Sequence, residues 1–292
     1  MASNKFTQHA GSLGGKPLSP NYSFIFDFEE NFDVKKSMQW FNDNPHIPFI
    51  FGIFIYLPVL YFGQKLMANR EAMKLRIPLI LWNTSLAIFS IVGFCRIFPE
   101  FVYSWQHFGF YHTICNSSHM QVKPAAFWTY LFVLSKTPEL VDTIFLVLKK
   151  QRLIFLHVYH HATVLIFAWF IYAHEIAAAR WFCTMNFGVH SIMYTYYALK
   201  AMPEFIRIPK WISMLITTSQ TLQMMAGSYV VALAFHAHLK GQPCKTDLTM
   251  SISGLVIYVS YLVLFSHFFY KAYCSPSPIK ARDTNGLGKK KV

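Results

Sequence analysis

Three histidines within five residues are the clearest sign of chemistry in this chain. His157, His160 and His161 lie in an otherwise apolar segment, and polar groups at membrane depth cost enough free energy to suggest a function. In a helix, positions i, i+3 and i+4 project within an arc of roughly 100°. Imidazoles on one face can bind a metal ion, transfer protons or act as a nucleophile. The alternative is a set of hydrogen-bonded core histidines.

A second polar group interrupts another apolar segment. Lys136, Glu139 and Thr143 share one helical face, and Asp142 lies about 60° from Glu139, so opposite charges can neutralise one another away from lipid. Pro138 is expected to bend the helix. The group is either an ion pair between helices or the border of a polar cavity shared with the histidines, and we favour the cavity.

Two further stripes of polar residues follow. One runs through positions i, i+4, i+8 and i+11 of a single segment, at Asn186, His190, Tyr194 and Tyr197. The other recurs at three-residue intervals, at Thr217, Gln220 and Gln223. An aromatic stripe usually indicates packing, but Asn186 and His190 one turn apart at mid-membrane favour lining the same cavity. The second stripe suits interhelical hydrogen bonds nearly as well as substrate contacts.

Composition identifies the class of protein. Hydrophobic residues make up 54% of the chain and charged residues 13%, against the ~25% charge usual in soluble domains. We therefore expect a membrane protein. The 26 Lys and Arg residues give a net charge of +13, but they are dispersed between apolar segments without a nucleic-acid-binding signature, so no nucleic acid partner is expected. The N-terminus shows no cleavable signal peptide.

The spacing of apolar segments predicts an all-α polytopic membrane protein. Segments near the ~20 residues needed to cross a bilayer occur at 48–68, 78–98, 125–147, 153–173, 178–199, 209–237 and 248–273. These seven spans predict a luminal N-terminal tail at 1–47, a membrane catalytic domain at 48–274 and a cytosolic tail at 275–292. The N-terminal tail is expected to end in an amphipathic turn near residues 37–41.

The positive charges predict the orientation. The loops after the first, third, fifth and seventh spans, with the C-terminal tail, hold more Lys and Arg than the other side, so the C-terminus is expected in the cytosol and the N-terminus in the lumen. The acceptor sequons at Asn21 and Asn116 then fall on the luminal side, where glycosylation takes place.

Two short features concern the cell compartment. Cys115 and Cys244 are the only cysteines in the predicted luminal loops, and an oxidising lumen would let them form a disulfide; two unrelated thiols are the alternative. Lys289 and Lys290 are the fourth and third residues counted from the end of the sequence. They resemble a dilysine retrieval signal of the endoplasmic reticulum, with a basic tail beside an anionic leaflet as the alternative.

Four motifs now stand in order along the chain. They are Lys136-x-x-Glu139-x-x-Asp142-Thr143, His157-x-x-His160-His161, His190-x-x-Met193-Tyr194-x-Tyr196-Tyr197 and Thr217-x-x-Gln220-x-x-Gln223. Together they resemble the very-long-chain fatty acid elongases of the ELO type, the membrane 3-ketoacyl-CoA synthases. The likeness extends from about residue 30 almost to the C-terminus.

The resemblance implies a reaction and a fold. ELO elongases condense a long acyl-CoA with malonyl-CoA and release CO2 and CoA, with no cofactor or metal beyond the two substrates. Their fold implies a barrel of six helices, here spans two to seven, around a tunnel closed towards the lumen, with the first span outside it. The implied partners are the lipid bilayer and the ketoacyl reductase, dehydratase and enoyl reductase of the elongation cycle, and a homodimer stays open.

The resemblance also implies roles for residues. His160 would accept the acyl group, His157 and His161 would support it, and Asp142 would orient a histidine. His190 with Asn186 would bind the malonyl group or the developing enolate. The remaining motif residues are expected to contact substrate: Lys136, Glu139, Tyr194, Tyr197, Thr217, Gln220 and Gln223. Met225, Tyr229 and Phe182 are candidates for the closed end of the tunnel.

Two other classes stay open. Membrane diiron desaturases and hydroxylases also carry an HxxHH box but need about eight histidines from several boxes, and this chain of 13 histidines has one such box. A lipid carrier could use a polar intramembrane cavity without chemistry. Within the elongases, Arg152 stands where polyunsaturated-specific members tend to have glutamine, which favours saturated and monounsaturated acyl-CoAs over polyunsaturated ones.

Overall fold

Helices account for nearly all the regular structure in the computed structural model, which describes residues 12–202 and 208–275. The exception within these ranges is a two-stranded antiparallel hairpin that pairs Ser12–Leu13 with Lys16–Pro17. Lys289 and Lys290 lie outside the described residues, so the retrieval signal stays a prediction.

Eleven α-helices follow in the described part of the chain. The N-terminal ones are α1 Asp27–Glu30, α2 Val34–Asp43 and α3 Ile47–Phe49, which continues through a π-helical turn at Ile50–Ile55 into α4 Tyr56–Met67. The others are α5 Arg76–Cys115, α6 Lys123–Ser135, α7 Val141–Leu148, α8 Phe155–Ala173, α9 Ala179–Lys200, α10 Lys210–Leu239 and α11 Leu248–Phe269. A second π-helical turn at Tyr270–Cys274 extends α11.

Several helices are suited to crossing a membrane. Four stretches are long and apolar enough by hydropathy within the described residues: Ile47–Met67, Arg76–Cys115, Phe155–Ala173 and Leu248–Cys274. The chain is therefore a mostly helical, multi-pass membrane protein, as the composition predicted. All seven predicted segments are helical over most of their length.

The third predicted segment is divided where proline was expected to bend it. Helix α6 ends at Ser135, a 3₁₀ turn spans Pro138–Leu140, and α7 begins at Val141. Proline has no amide hydrogen and its ring clashes with the preceding turn, so a continuous α-helix cannot pass this point unchanged. The break brings Glu139 back towards Lys136.

The long helices contact one another in a closed circuit. Helix α5 packs on α9, α9 on α10, α10 on α11, α11 on α8, α8 on α6, and α6 on α5. Helix α4 lies against α7. Close approach within the circuit needs small residues: a Cβ atom on Gly227 of α10 would come 2.1 Å from the Tyr258 ring of α11.

Part of the predicted N-terminal tail is packed against the helices, and α2 lies where an amphipathic turn was expected. Phe41 of α2 is fully buried beside Trp169 and Tyr172 of α8. Trp169 Nε1 donates to the Phe41 carbonyl at 3.0 Å, and the hydroxyls of Ser37 and Tyr172 are 2.7 Å apart. The aromatic side of α2 therefore adds to the hydrophobic core, a contact that its polar composition concealed.

A buried ion pair fixes the segment before α2. Arg96 of α5 donates to both carboxylate oxygens of Glu29, which is fully buried. Trp128 Nε1 and the backbone amide of Phe26 also donate to this carboxylate, at 2.9 and 3.0 Å. The charge is thus fully hydrogen-bonded, the condition under which a buried pair is tolerated.

Cys115 and Cys244 are joined by a disulfide, with their Cα atoms 4.2 Å apart. The Lys245 amide donates to the Cys115 carbonyl at 2.8 Å, so the end of α5 is tied to the loop before α11. Next to the disulfide, Asn116 Oδ1 accepts from the Ser118 amide at 2.9 Å. Glycosylation of Asn116, or of the exposed Asn21, stays a prediction.

We expect Glu29→Gln to lower the free energy of unfolding by about 3 kcal/mol, because it leaves the Arg96 guanidinium buried without its counter-charge. Thermal unfolding of the purified protein in detergent measures the loss. Glu30→Gln is the matched control, since Glu30 is adjacent in α1 but exposed. Equal unfolding temperatures for the two variants would contradict the assignment.

Candidate active site

A cavity of about 540 Å³ lies inside the circuit of helices, a volume typical of small-molecule sites. Helices α5, α7, α8, α9, α10 and α11 all contribute to its wall. Ten of the predicted site residues border it: Asp142, His157, His160, His161, Asn186, His190, Tyr194, Tyr197, Gln220 and Gln223. The structure therefore brings together residues from four motifs that are up to 81 positions apart in sequence.

A second, narrower cavity of about 40 Å³ continues from the first. Its wall is mostly apolar and aromatic, including Phe132, Phe167, Phe182 and Tyr258. Four residues border both cavities: His160, Asn186, Gln223 and Met224. His160 is the one member of the histidine box among them, so its ring stands where the polar cavity meets the apolar chamber.

Helix α8 sets the geometry of the histidine box. The His157 and His161 rings have centroids 4.4 Å apart, and the His160 and His161 rings 5.4 Å. His157 Nε2 lies 2.9 Å from the Thr143 hydroxyl. Among the described residues no side chain hydrogen-bonds the His160 ring, whereas the Tyr261 ring lies 5.0 Å away and the Tyr261 hydroxyl donates to the His160 carbonyl at 3.4 Å.

A chain of hydrogen bonds reaches His190 from the third predicted segment. Lys136 Nζ donates to Glu139 Oε1 at 2.6 Å and to Asn186 Oδ1 at 3.0 Å. The Asn186 amide nitrogen is 3.0 Å from His190 Nε2. An ammonium group can only donate, so the Asn186 oxygen must face Lys136 and its NH2 group must donate to His190. His190 Nε2 is therefore an acceptor, and the proton of the neutral ring is on Nδ1.

Lys136 and Glu139 lie behind the cavity wall, although we expected them to contact substrate. Both are almost fully buried, and neither borders either cavity. Ser135 also donates to Glu139 Oε1, at 3.0 Å. An unpaired charge at this depth is costly, so the pair supports Asn186 from behind and does not reach either cavity.

Asp142 has different partners from those expected. We expected it to orient a histidine, but its carboxylate accepts from Trp82 Nε1 of α5 and from the Tyr194 hydroxyl of α9, the latter at 2.7 Å. Successive helical residues point about 100° apart, and in α7 it is Thr143 that faces α8. Asp142 therefore joins α5, α7 and α9, and Thr143 is the residue that contacts the box.

The remaining predicted residues divide into two groups. Tyr197 and Gln220 border the polar cavity, and Gln220 Nε2 lies 3.2 Å from Met193 Sδ. Thr217 is not part of either wall, and its hydroxyl lies 3.3 Å from that of Tyr273. Its role in the structure is to connect α10 with the end of α11.

Two of the three candidates for the closed end of a tunnel are misplaced. Met225 and Tyr229 are 52% and 57% exposed on the outer side of α10, whereas Phe182 borders the narrow chamber as expected. The neighbouring Met224 faces inwards instead of Met225. A one-residue error on a helix rotates a side chain by about 100°, which the nearly uniform apolar sequence of α10 did not reveal.

Sequence reasoning missed several residues of the wall. Trp82 and Asn83 come from α5, whose apolar sequence carried no polar pattern, and Tyr261 is one of many tyrosines. Lys149 and Lys200 also border the polar cavity. In the sequence we interpreted them as part of the basic loops that set the topology. Their position directly after long apolar segments could have identified them as residues of the cavity wall.

The described residues, 12–202 and 208–275, contain no group of three or more His, Cys, Asp or Glu side chains arranged to hold a metal ion. The i, i+3, i+4 spacing of the three box histidines was the pattern that first suggested a metal site. The expectation that the site needs no metal or other cofactor stays a prediction, to be tested on purified protein.

Comparisons with known proteins agree with the motifs. Residues 40–281 match the ELO family described as GNS1/SUR4. The chain is 46% identical to "Very long chain fatty acid elongase 6" of Drosophila melanogaster over 271 residues, covering 91% of this chain and 84% of the relative. It is 42% and 41% identical to the proteins of the same name from Gallus gallus and Homo sapiens, each over 85% of this chain and 92% of the relative.

The family match extends over most of the chain and includes every motif at the cavity. The similarity to these relatives runs through nearly their whole length, so it concerns the complete fold and not a shared fragment. The chain belongs to the GNS1/SUR4 (ELO) family of fatty acid elongases.

Proposed function

We propose that the protein condenses a long-chain acyl-CoA with malonyl-CoA to give 3-oxoacyl-CoA, CO2 and CoA, the first step of fatty acid elongation. The observation that carries the proposal is the position of His160, which borders both cavities. A nucleophile at this junction can take an acyl group whose chain points into the apolar chamber while its CoA occupies the polar cavity.

The two cavities suit the two parts of an acyl-CoA. Burial of the chain's methylene groups in the narrow chamber is favourable at roughly 0.8 kcal/mol each. The wider cavity has Lys149 and Lys200 in its wall, and such ammonium groups attract the phosphates of CoA. The acyl thioester is thereby placed beside the histidine box.

The first half-reaction forms an acyl-histidine. A lone pair on the His160 ring attacks the thioester carbonyl, the C–S bond breaks, and CoA leaves as the thiol with the proton that the ring gives up. The product is a neutral acyl-imidazole. Tyr261 supports this step by holding the His160 turn of α8 through the carbonyl of His160 and the hydroxyl of Thr163, the latter at 2.7 Å.

The second half-reaction forms the new carbon–carbon bond. Malonyl-CoA loses CO2, and the resulting enolate carbon attacks the acyl-imidazole carbonyl, releasing 3-oxoacyl-CoA and a ring that takes up one proton. His190 carries its proton on Nδ1 because Asn186 donates to Nε2, so an N–H group is available to stabilise the enolate oxygen. Such a preorganised donor is worth a few kcal/mol where water is excluded.

The same proposal includes topology and location. We propose seven spans, of which α3–α4 is the first and lies outside the barrel. The other six are α5, the broken span α6–α7, α8, α9, α10 and α11, which form a barrel around the tunnel; the closed circuit of helix contacts supports this arrangement. The distribution of Lys and Arg supports a luminal N-terminus, and the dilysine sequence supports the endoplasmic reticulum. A 3-oxoacyl-CoA product requires reductase, dehydratase and enoyl reductase partners, and a homodimer stays open.

The nucleophile is tested by covalent labelling. Purified protein incubated with radiolabelled acyl-CoA and no malonyl-CoA is expected to retain label on His160, and His160→Ala is expected to retain none, because the other residues that border both cavities, Asn186, Gln223 and Met224, carry no nucleophile of comparable strength. His174→Ala is the matched control, since His174 caps the other end of α8 and is exposed. Label persisting on the His160→Ala protein would exclude His160 as the acyl carrier.

Metal content separates the elongase from a diiron oxygenase. We expect purified active protein to contain less than one iron per chain and to keep its malonyl-dependent activity after treatment with a chelator, because the proposed chemistry uses imidazole as a nucleophile and not as a ligand. Metal analysis and release of radioactive CO2 from labelled malonyl-CoA are the measurements. Two irons per chain with chelator-sensitive activity would favour the diiron class, and lipid transfer without CO2 release would favour a carrier.

Substrate preference follows from the sequence before the histidine box. We expect saturated and monounsaturated acyl-CoAs to be elongated faster than polyunsaturated ones, because Arg152 departs from the glutamine of the polyunsaturated pattern. Arg152 is exposed and not part of either wall, so it marks a branch of the family and does not contact substrate. Rates with a panel of C12 to C22 acyl-CoAs and labelled malonyl-CoA measure the preference; faster elongation of polyunsaturated chains would reverse it.

A further inference from the structure

The first long helix contacts the histidine box although it lies outside the circuit of helices. Tyr56 begins α4 and is 3% exposed. Its hydroxyl oxygen lies 2.6 Å from Thr143 Oγ1, which in turn lies 2.9 Å from His157 Nε2. Three side chains from α4, α7 and α8 thus form one continuous line of hydrogen bonds that ends on a box histidine.

The local structure brings Tyr56 to this position. The π-helical turn Ile50–Ile55 immediately precedes it, and such turns re-aim the residues that follow and are frequent at functional sites. Within the turn, a Cβ atom on Gly52 would come 3.2 Å from the Ala162 carbonyl. Glycine at this point therefore lets the first helix approach α8 one residue from the end of the box.

The direction of the hydrogen bonds can be deduced from their partners. Thr143 Oγ1 is the only partner of the buried Tyr56 hydroxyl among the described residues. If Tyr56 accepted from Thr143, the phenol proton would be buried without an acceptor, which is costly. Tyr56 therefore donates to Thr143, and the Thr143 proton is free to go to His157 Nε2.

A donor on Nε2 fixes the tautomer of the neutral His157 ring. A neutral imidazole has one protonated nitrogen, so a ring that accepts a hydrogen bond on Nε2 carries its proton on Nδ1. His157 borders the polar cavity, and within the described part of the chain Nδ1 has no hydrogen-bond partner. An N–H donor is thus left for a ligand in the cavity.

We propose that Tyr56 is a positioning residue for the reaction: through Thr143 it holds His157 in the Nδ1–H tautomer, so that this N–H donates to the thioester carbonyl that His160 attacks. The inference rests on the proposed condensation. It gives the first helix, which is outside the proposed barrel, a direct part in the active site. Removing the Tyr56 hydroxyl allows Thr143 to turn its proton elsewhere, and His157 then no longer holds a single tautomer.

Tyr56→Phe tests the relay, with Tyr61→Phe as the matched control because Tyr61 is on the same helix and 61% exposed. We expect Tyr56→Phe to lower kcat about 5- to 10-fold, the effect of one lost hydrogen bond, with KM for both CoA substrates within about twofold. Tyr61→Phe is expected to match the unchanged protein. Equal kcat for the two variants would overturn the proposal.

The tautomer of His157 can also be measured directly by NMR, and it would not change if Tyr56 had only a structural role. In protein with ¹⁵N-labelled histidine, the His157 resonances, assigned by their loss in His157→Gln, are expected to show one Nδ1–H tautomer and to shift towards a mixture in Tyr56→Phe. Thr143→Val should produce the same shift and Thr143→Ser should not, since serine keeps the hydroxyl. These two variants give the answer if Tyr56→Phe fails to fold.

The kinetic and NMR measurements together distinguish a failure of this proposal from a failure of the proposed function. If the unchanged protein elongates no acyl-CoA, the condensation is excluded while the resonances still test the relay. If it does elongate and the His157 tautomer is the same with and without the Tyr56 hydroxyl, the relay is overturned and the condensation stands. A shifted tautomer with unchanged kcat would overturn the donor role of His157.

Discussion

One buried ammonium group governs the arrangement of the candidate active site. Lys136 lies at the end of α6 among apolar side chains, with its charge held by Glu139 and by the amide oxygen of Asn186. An unpaired charge there would cost several kcal/mol, so the helices must meet in a way that keeps both bonds. The helix break at Pro138 allows the first bond and the packing of α9 allows the second. The orientation of Asn186, and with it the tautomer of His190, follows from this one constraint.

Two histidines of the candidate site, His190 and His157, are supported in the same way. His190 receives a hydrogen bond on Nε2 from Asn186, and His157 lies with Nε2 against the Thr143 hydroxyl. In each case a line of hydrogen bonds that begins on another helix ends on Nε2 of a histidine that borders the polar cavity. His160, between them in the wall, has no such support from a side chain in the described residues. A ring whose lone pair is not engaged suits a nucleophile, whereas rings with a fixed N–H suit donors to developing negative charge.

The sequence identified the apolar segments and the polar residues that interrupt them, because both depend on local composition and helical period. It could place His157, His160 and His161 on one face for the same reason. It could not determine which neighbour each polar residue meets. Asp142 and Thr143 were both in the motif, but the rotation of α7 decides that Asp142 bonds Trp82 and Thr143 contacts His157.

The contact between Tyr56 and Thr143 and the burial of Phe41 could not be predicted either, since both arise between segments that are distant in the chain. Tyr56 meets Thr143 across 87 residues, and the Trp169 ring bonds the Phe41 carbonyl across 128. Periodicity within a window of about 18 residues carries no information on such pairs. The polar composition around α2 likewise did not reveal its contact with α8, since an aromatic face among charged residues is buried only when a partner surface exists.

A buried ion pair lies next to the wall of the apolar chamber and opposes its opening to water on that side. Ala179 is part of the chamber wall, and the next residue, Arg180, is fully buried with its guanidinium bonded to Glu100 and to the Ser118 hydroxyl. Opening the chamber in this direction would break these bonds and leave charges unpaired, a change that costs several kcal/mol. An acyl chain gains only about 0.8 kcal/mol for each further methylene it buries. If the proposed acyl chain enters this chamber, one further methylene therefore gains too little free energy to separate Arg180 from Glu100.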